Sequence, residues 1–543
     1  MLKFLAIIFF ILPVISANGE VCYTNHLSTQ PADSIDIKRH ALIVKAQSSY
    51  NAREFESAIR YAEQGLLKLD SVREVDLAVY TCNLLGSAYT KIRSFDKALS
   101  RLNTALRLSQ RLHKDHYLIG DCHFHLGVYH DVMGNRDETV RHHTISHERR
   151  MALFGPDHLK VAESYNGLGE VYAFIFFDYR KAIVFYEKSL RIREKHLAPD
   201  AHELYAGYYN LSQSYRMLED GDKALSYAFK ALTVVNAKRQ YVSLLEKCYM
   251  LLGNIHAGRL EYGPALDYFK KGMQQSVSFA GPDNYNLILS YTSLGLAYGE
   301  MGQLQMAIKS FKKSLNIYSH HKATNSGLLA SNFLHLGRMF QKTGEYDSAK
   351  YYLKRNLDVR LAGSGPTNKR TSDAYSYLAK FYQQFGEMDT AAFYIQKALI
   401  AGVGNFDDSN IDANPILDKT IRSYELFELF GDKGSILLDY YNKDGDVNLL
   451  SSAMASFKIS DALMELNRRA YHQERAKLFF ADHYHHIYEG ALQATYLLFN
   501  KTQDPGHFAN ALTFMEKSKA ILLAESLNKV EIFTSAGLPD SLR

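Results

Sequence analysis

Side chains able to hold a metal are the first candidates for chemistry in this sequence. His483, His485 and His486 fall in one stretch with Asp482 and Glu489. Asp482/His486 and His485/Glu489 are each four apart, so on a helix each pair shares a face, as two ligands of a zinc site must. The two pairs point to different sides of that helix, which argues against one three-ligand site. The doublets His142-His143 and His320-His321 are adjacent, and neighbours on a helix diverge. No HExxH, no CxxC and no phosphate-cradling glycine loop occurs. Gly402-Val403-Gly404 follows no strand and opens no helix. These patterns predict no catalytic, cofactor-binding or metal-ligating residue, and no enzyme.

The elements that position every other group follow from a ladder of small residues. Gly86, Gly127, Gly169, Ser212, Gly253, Gly295, Gly337 and Ala379 stand 41, 42, 43, 41, 42, 42 and 42 residues apart, mostly in phrases such as LLGSAY and SLGLAY. Twelve residues past the rung comes a second small residue: Ala98, Ala224, Ala265, Ala307, Ala349 and Ala391. In the fourth unit Ala182 comes after thirteen, and in the third Thr139 takes the place of Ala. Large side chains surround them. Tyr89, Tyr172, Tyr215, Tyr298, Phe340 and Tyr382 fall three after the rung, and Tyr186, Phe269, Phe311 and Leu353 four after the Ala. Each set lies on one helix face. The pattern predicts two close-packed antiparallel helices per unit, with neighbouring units stacked to bury their apolar faces.

L-G/S-x-x-Y followed by Ala and then Tyr or Phe resembles the tetratricopeptide repeat, in the long-linker variety with a period near 42. The joints Gly155-Pro156-Asp157, Gly281-Pro282-Asp283, Gly365-Pro366-Thr367 and Ala198-Pro199-Asp200 support it. Pro stops the preceding helix, and Asp or Thr is expected to cap the next. The resemblance implies an all-α, right-handed superhelical solenoid of about nine helix pairs over residues 40–400. Ala46 is the rung of a degenerate first unit and Ala58 its second small residue.

Residues 1–17 read as a signal peptide. Lys3 precedes the apolar run Phe4 to Leu12, and small residues at Ser16 and Ala17 suit cleavage. An uncleaved membrane anchor is the alternative. The run is too short to span a bilayer, and no later segment is apolar enough to do so. Export to the periplasm, the cell surface or the medium is therefore expected, with a polar lead-in at 18–39. Cys82, Cys122 and Cys248 fall at core positions as inert thiols, with a Cys82–Cys122 bridge as the alternative; Cys22, beyond the signal peptide, lacks the small residue expected before a lipidated cysteine. A net charge of +5 on 543 residues argues for no nucleic-acid partner.

By analogy with the tetratricopeptide family, residues one after the rung and three before it face a concave groove. The expected contacts are Glu170, Gln213, Asn254, Arg338 and Lys380 in the first set, and Asn83, Asn166 and Tyr209 in the second. Amides would bond an extended peptide backbone, and the late basic pair an acidic group. The expected function is non-catalytic capture of a protein or peptide, with no cofactor.

After Ala401 the period breaks. Residues 401–415 read as a loop and 416–530 as irregular helices near Ile416–Leu429, Lys433–Tyr441, Val447–Glu465, Gln473–Asn500 and Pro505–Val530, before a tail at 531–543. GDKGSILLDYY, ERAKLFFADHYHHIYEGAL and the helix Glu516 to Leu523 resemble the segment joining such arrays to caspase-like CHAT peptidases. That resemblance implies an alternative: the regulatory half of a peptidase system whose catalytic half lies elsewhere. A membrane-linked sensor is a third reading.

Overall fold

The computed structural model describes residues 40–52, 54–237, 244–321, 326–416, 424–470 and 474–519, with side chains for all but 424–425, 467–470 and 474–485. The expected signal peptide, the lead-in, Cys22, the tail, and the Asp482, His483 and His485 side chains lie outside that description. Every regular element among the described residues is helical. None of their helices is long and apolar enough to cross a membrane. The described residues divide into two compact units, one up to Met301 and one from Gly302 on.

In the first unit α1 (Ala41–Asn51) pairs with α2 (Phe55–Leu66), α3 (Val75–Lys91) with α4 (Phe95–Ser109), and α5 (Tyr117–Val132) with α6 (Arg136–Phe154). Then α7 (Leu159–Glu170) pairs with α8 (Tyr179–His196), α9 (His202–Met217) with α10 (Gly221–Asn236), and α11 (Leu245–Gly258) with α12 (Tyr262–Ala280); α13 (Leu287–Glu300) follows. The second unit holds α14 (Leu304–His320) and the pairs α15 (Ser326–Thr343) with α16 (Tyr346–Ser364), α17 (Lys369–Gln384) with α18 (Met388–Gly402), and α19 (Tyr424–Asp444) with α20 (Val447–Ala470). Helix α21 (Glu474–Thr502) packs on α20, and residues 505–519 are helical.

The rungs act as the spacing implies. The large residue four past the second small one lies against the glycine of the partner helix: Leu102 on Gly86, Tyr186 on Gly169, Phe269 on Gly253, Leu353 on Gly337. A Cβ at Gly169 would stand 2.5 Å from the Tyr186 ring. Ser212 fits by donating its hydroxyl to Ala224 O at 2.8 Å. Seven residues past the rung the chain turns through positive φ, at Arg93, Gly134, Glu219, Leu260, Gly344 and Gly386. In the fourth repeat that residue is Phe177, eight past Gly169. The extra residue, visible as the spacing of thirteen, is absorbed by a π turn at Val171–Ile175, where Phe176 N bonds Val171 O five residues back at 3.3 Å.

Two expectations are corrected. The residue after Pro does not cap the next helix. His158 caps α7 and Asn368 caps α17, each accepting from the backbone N–H two residues on, while Asp157 pairs with Lys195. The joint glycines Gly155, Gly281 and Gly365 turn at φ 72°, 84° and 81°, which carries the chain out of the helix before Pro. Second, no break separates Leu429 from Lys433, because α19 is continuous. Gly431 and Gly434 are contact points there, against Ile487 and Phe457. Phe457 follows Ala453 by four, so α19 and α20 repeat the rung geometry at a longer spacing. Lys433, fully buried, fixes the preceding loop by donating to Gln396 Oε1, Ala413 O and Asn414 Oδ1 at 2.9, 2.7 and 2.9 Å.

The rung geometry predicts the sign of a substitution that helix propensity alone would get wrong. Gly169→Ala gains up to about 1 kcal/mol of propensity, but its methyl meets a rigid buried ring, an overpacking cost of about 1–3 kcal/mol or more. The expected result is a lower Tm in a thermal melt; an unchanged or higher Tm would show that the contact is not limiting.

Candidate functional site

First helices of successive repeats lie side by side, and this contact decides what their polar residues do. Asn83 of α3 donates to Cys122 Sγ of α5 at 3.4 Å, and Ser87 meets His125 Nδ1 at 2.8 Å. No disulfide joins Cys82 and Cys122. Asn166 donates to Glu170 Oε1, one turn on, at 2.9 Å and accepts from Asn210 of α9 at 3.3 Å. Asn83, Asn166 and Glu170 are thus buried between repeats and do not stand on an open wall. The physical reason is the rung itself: helices held that close leave little gap for their short polar side chains. Two acceptors on this row, Asn83 Oδ1 and Glu170 Oε2, have no hydrogen-bond partner. Burial raises the Glu170 carboxyl well above the ordinary range.

Tyr209, Gln213 and Asn254 are half-exposed on the same unit. Gln213 donates to Tyr209 OH at 3.4 Å and accepts from Arg216 Nε at 3.2 Å. Beside them the π turn leaves a shallow, solvent-open cleft lined by Ala173, Phe174, Tyr179, Asn210, Gln213 and Arg216 among others. Phe174, Phe176 and Phe177 are exposed next to it. Sequence reasoning found Gln213 but missed Phe174, Tyr179 and Arg216; the signal for them was the thirteen-residue spacing. In the second unit Lys380 pairs with Asp432 of α19 at 2.7 Å, so its acidic partner belongs to the chain. Arg338 is half-exposed, its guanidinium 5.9 Å from the Tyr377 ring.

The third and fourth repeats are joined by charge. Arg150, buried under the Phe124 ring, bonds Asp121 Oδ1 at 2.6 Å and Glu163 at 3.0 Å; Lys160 reaches Asp121 at 3.1 Å. Burial would raise the Asp121 carboxyl, but Lys160 and Arg150 outweigh it and hold it low. Breaking such a buried pair costs about 3–5 kcal/mol. His143, four past Thr139, fills the large-residue position and packs between Gly127 and Gly167, with neither ring nitrogen bonded.

A family model described as tetratricopeptide repeat matches residues 126–195 and 246–320. Those two stretches carry tetratricopeptide repeats. The array is similar to solved structures of several other proteins. The apo quorum sensor NprR from B. thuringiensis is 13% identical over 67% of this chain and 99% of that one, with a TM-score of 0.49. Apo RapI is 15% identical over 72% and 98%, at 0.48, and a Rap protein complexed with competence and sporulation factor is 14% identical over 84% and 99%, at 0.44. A comparison with curated proteins finds no match. None of these findings brings a CHAT peptidase to the tetratricopeptide array.

The histidines of the third repeat predict an acid-sensitive array. Burial pushes His123 and His142 down to about 4, and His125 and His143 to about 3. Unfolded, each titrates near 6.5. Between these values the unfolded chain binds more protons, so stability is complete above about pH 6.5 and falls as pH drops toward about 4. Glu170, raised by burial, runs the other way, and Asp121 contributes only below its unfolded value of about 3.9. Thermal melts across this window should show Tm falling with acidity. His143→Phe, which copies the Phe269 contact of another repeat, should flatten the profile; a wild-type Tm independent of pH from 7 to 5 would refute the account.

Proposed function

We propose that this chain is a non-catalytic scaffold that captures a protein or peptide segment on the first-helix face of its first unit. The observation that carries the reading is the cleft at the π turn, which adjoins Gln213 and Tyr209. Phe174 and Tyr179 offer it apolar surface for a side chain. The Gln213 amide suits a peptide backbone, with Asn254 on the next first helix extending the row, and Arg216 supplies positive charge for a carboxylate. Asn83, Asn166 and Glu170 act beneath this surface by fixing the spacing of the first helices. Arg338 and Lys380 belong to the second unit, where Lys380 holds α19.

A peptide array probed with the full chain tests the site. Peptides that bind should lose about tenfold or more in affinity on combined Tyr179→Ala and Gln213→Ala substitution, as expected where a few anchors dominate binding. Arg338→Glu with Lys380→Glu should leave them bound. The reverse ranking would move the site to the second unit, and no peptide bound at all would reject capture.

Export is part of the proposal and rests on the charged start and apolar run at residues 3–12. Fused ahead of a reporter active only outside the cytoplasm, residues 1–40 should give signal, and Leu5→Arg with Ile8→Arg should abolish it. Activity equal in both fusions would remove the export claim.

A further inference from the structure

The third repeat uses two histidines where five other repeats use a pair of stacked rings. In those five the residue three past the rung stacks on the residue three past the second small one. Tyr172 stacks on Phe185, Tyr215 on Tyr227, His256 on Tyr268, Phe340 on Tyr352, and Tyr382 on Tyr394, with centroids 5.3, 5.6, 5.4, 5.5 and 5.4 Å apart. In the third the pair is His130 on His142, at 5.6 Å and an interplanar angle of 3°. The exchange keeps two flat rings and adds ring nitrogens. Glu138, one turn before His142 on α6, brings a carboxylate to the same place. One ligand atom from each of the three lies within 4.8 Å of the other two.

Hydrogen bonding sets the tautomer of His142. Arg141 Nη2 lies 3.1 Å from its Nε2. A guanidinium only donates, so Nε2 holds the lone pair. Nδ1 then carries the hydrogen and donates it to His123 Nδ1 at 2.8 Å. A metal-binding imidazole is held in this way, tethered by one N–H with the other nitrogen bare. The same Arg141 nitrogen is 2.6 Å from Glu138 Oε2, which is 3.4 Å from His142 Nε2. A cationic group therefore already bridges the carboxylate and the bare nitrogen. Its side chain is 54% exposed, so solvent is open to it if another cation takes the seat.

We propose that His130, Glu138 and His142 form a site for a divalent transition metal of the zinc class, in which the ion displaces Arg141 and His123 positions His142. Two imidazoles and a carboxylate are a ligand set zinc accepts, with the fourth place left to water. Chelation requires His130 to turn out of the stack so that a nitrogen meets the ion. Arg141 and Arg149 are the cations nearest the imidazoles and oppose the ion, so removing one should strengthen binding.

Calorimetric titration of the full chain with Zn²⁺ at pH 7.5 tests this, with Co²⁺ absorption to report the ligand field. His130→Tyr removes a ligand while restoring the ring pair of the other repeats, and Glu138→Gln removes the carboxylate from a half-exposed position, so neither depends on a damaged fold. The expected result is one Zn²⁺ per chain, weakened about tenfold or more by either variant, as loss of a ligand should exceed loss of an outer-shell partner, and tightened by Arg141→Met. Failure of the wild-type chain to bind Zn²⁺, or binding unchanged in either His130→Tyr or Glu138→Gln, overturns the assignment.

Discussion

The close approach of a rung residue to the large side chain of the partner helix governs this molecule. Where Gly169 meets Tyr186 or Gly253 meets Phe269, one methyl group separates a packed pair from a clash. That contact sets the distance between the helices of a pair. The pair then sets the ring stack beside it, since residues three past each small position are brought face to face at the same depth. Spacing between repeats follows as well, because only tightly paired helices present a flat enough face for the next first helix to lie alongside. The buried contacts of Asn83 with Cys122 and of Asn166 with Asn210 are products of that geometry.

This explains what the sequence made legible and what it did not. The ladder is a backbone requirement, and a requirement on the backbone leaves a fixed residue type at a fixed interval. The extra residue of the fourth repeat was legible for the same reason, although its consequence, a π turn with a cleft beside it, was not. Groove residues were read less well. Positions beside the rung were assigned to an open surface, but Asn83, Asn166 and Glu170 face the neighbouring first helix at a depth that spacing cannot report. The expected break between Leu429 and Lys433 fell where Gly431 marks close contact with Ile487 within a continuous helix. The histidines were legible only as doublets. His130 meets Glu138 and His142 across a helix pair, and a search along one helix does not see that.

The departures from the repeat rule concentrate in two neighbours. The third repeat has Thr139 for Ala, His143 for an aromatic knob and a histidine pair for the ring stack. The fourth has Gly167 to admit His143, the π turn and the buried charges that tie it to the third. In a stacked array stability is close to a sum of nearest-neighbour terms, so cost incurred here stays here. A bare imidazole wedged between two glycines, or a carboxyl group buried under a first helix, would threaten a single-core domain as a whole. In a solenoid the regular repeats on either side, with Leu102 on Gly86 and Phe269 on Gly253, hold their own pairs closed regardless. The array can therefore carry polar, strained and ionisable groups at one place without loosening elsewhere. Their clustering is the arrangement expected if local chemistry is drawn to the segment that departs most from the packing rule, while the repeats that obey it supply the rigidity against which that segment works.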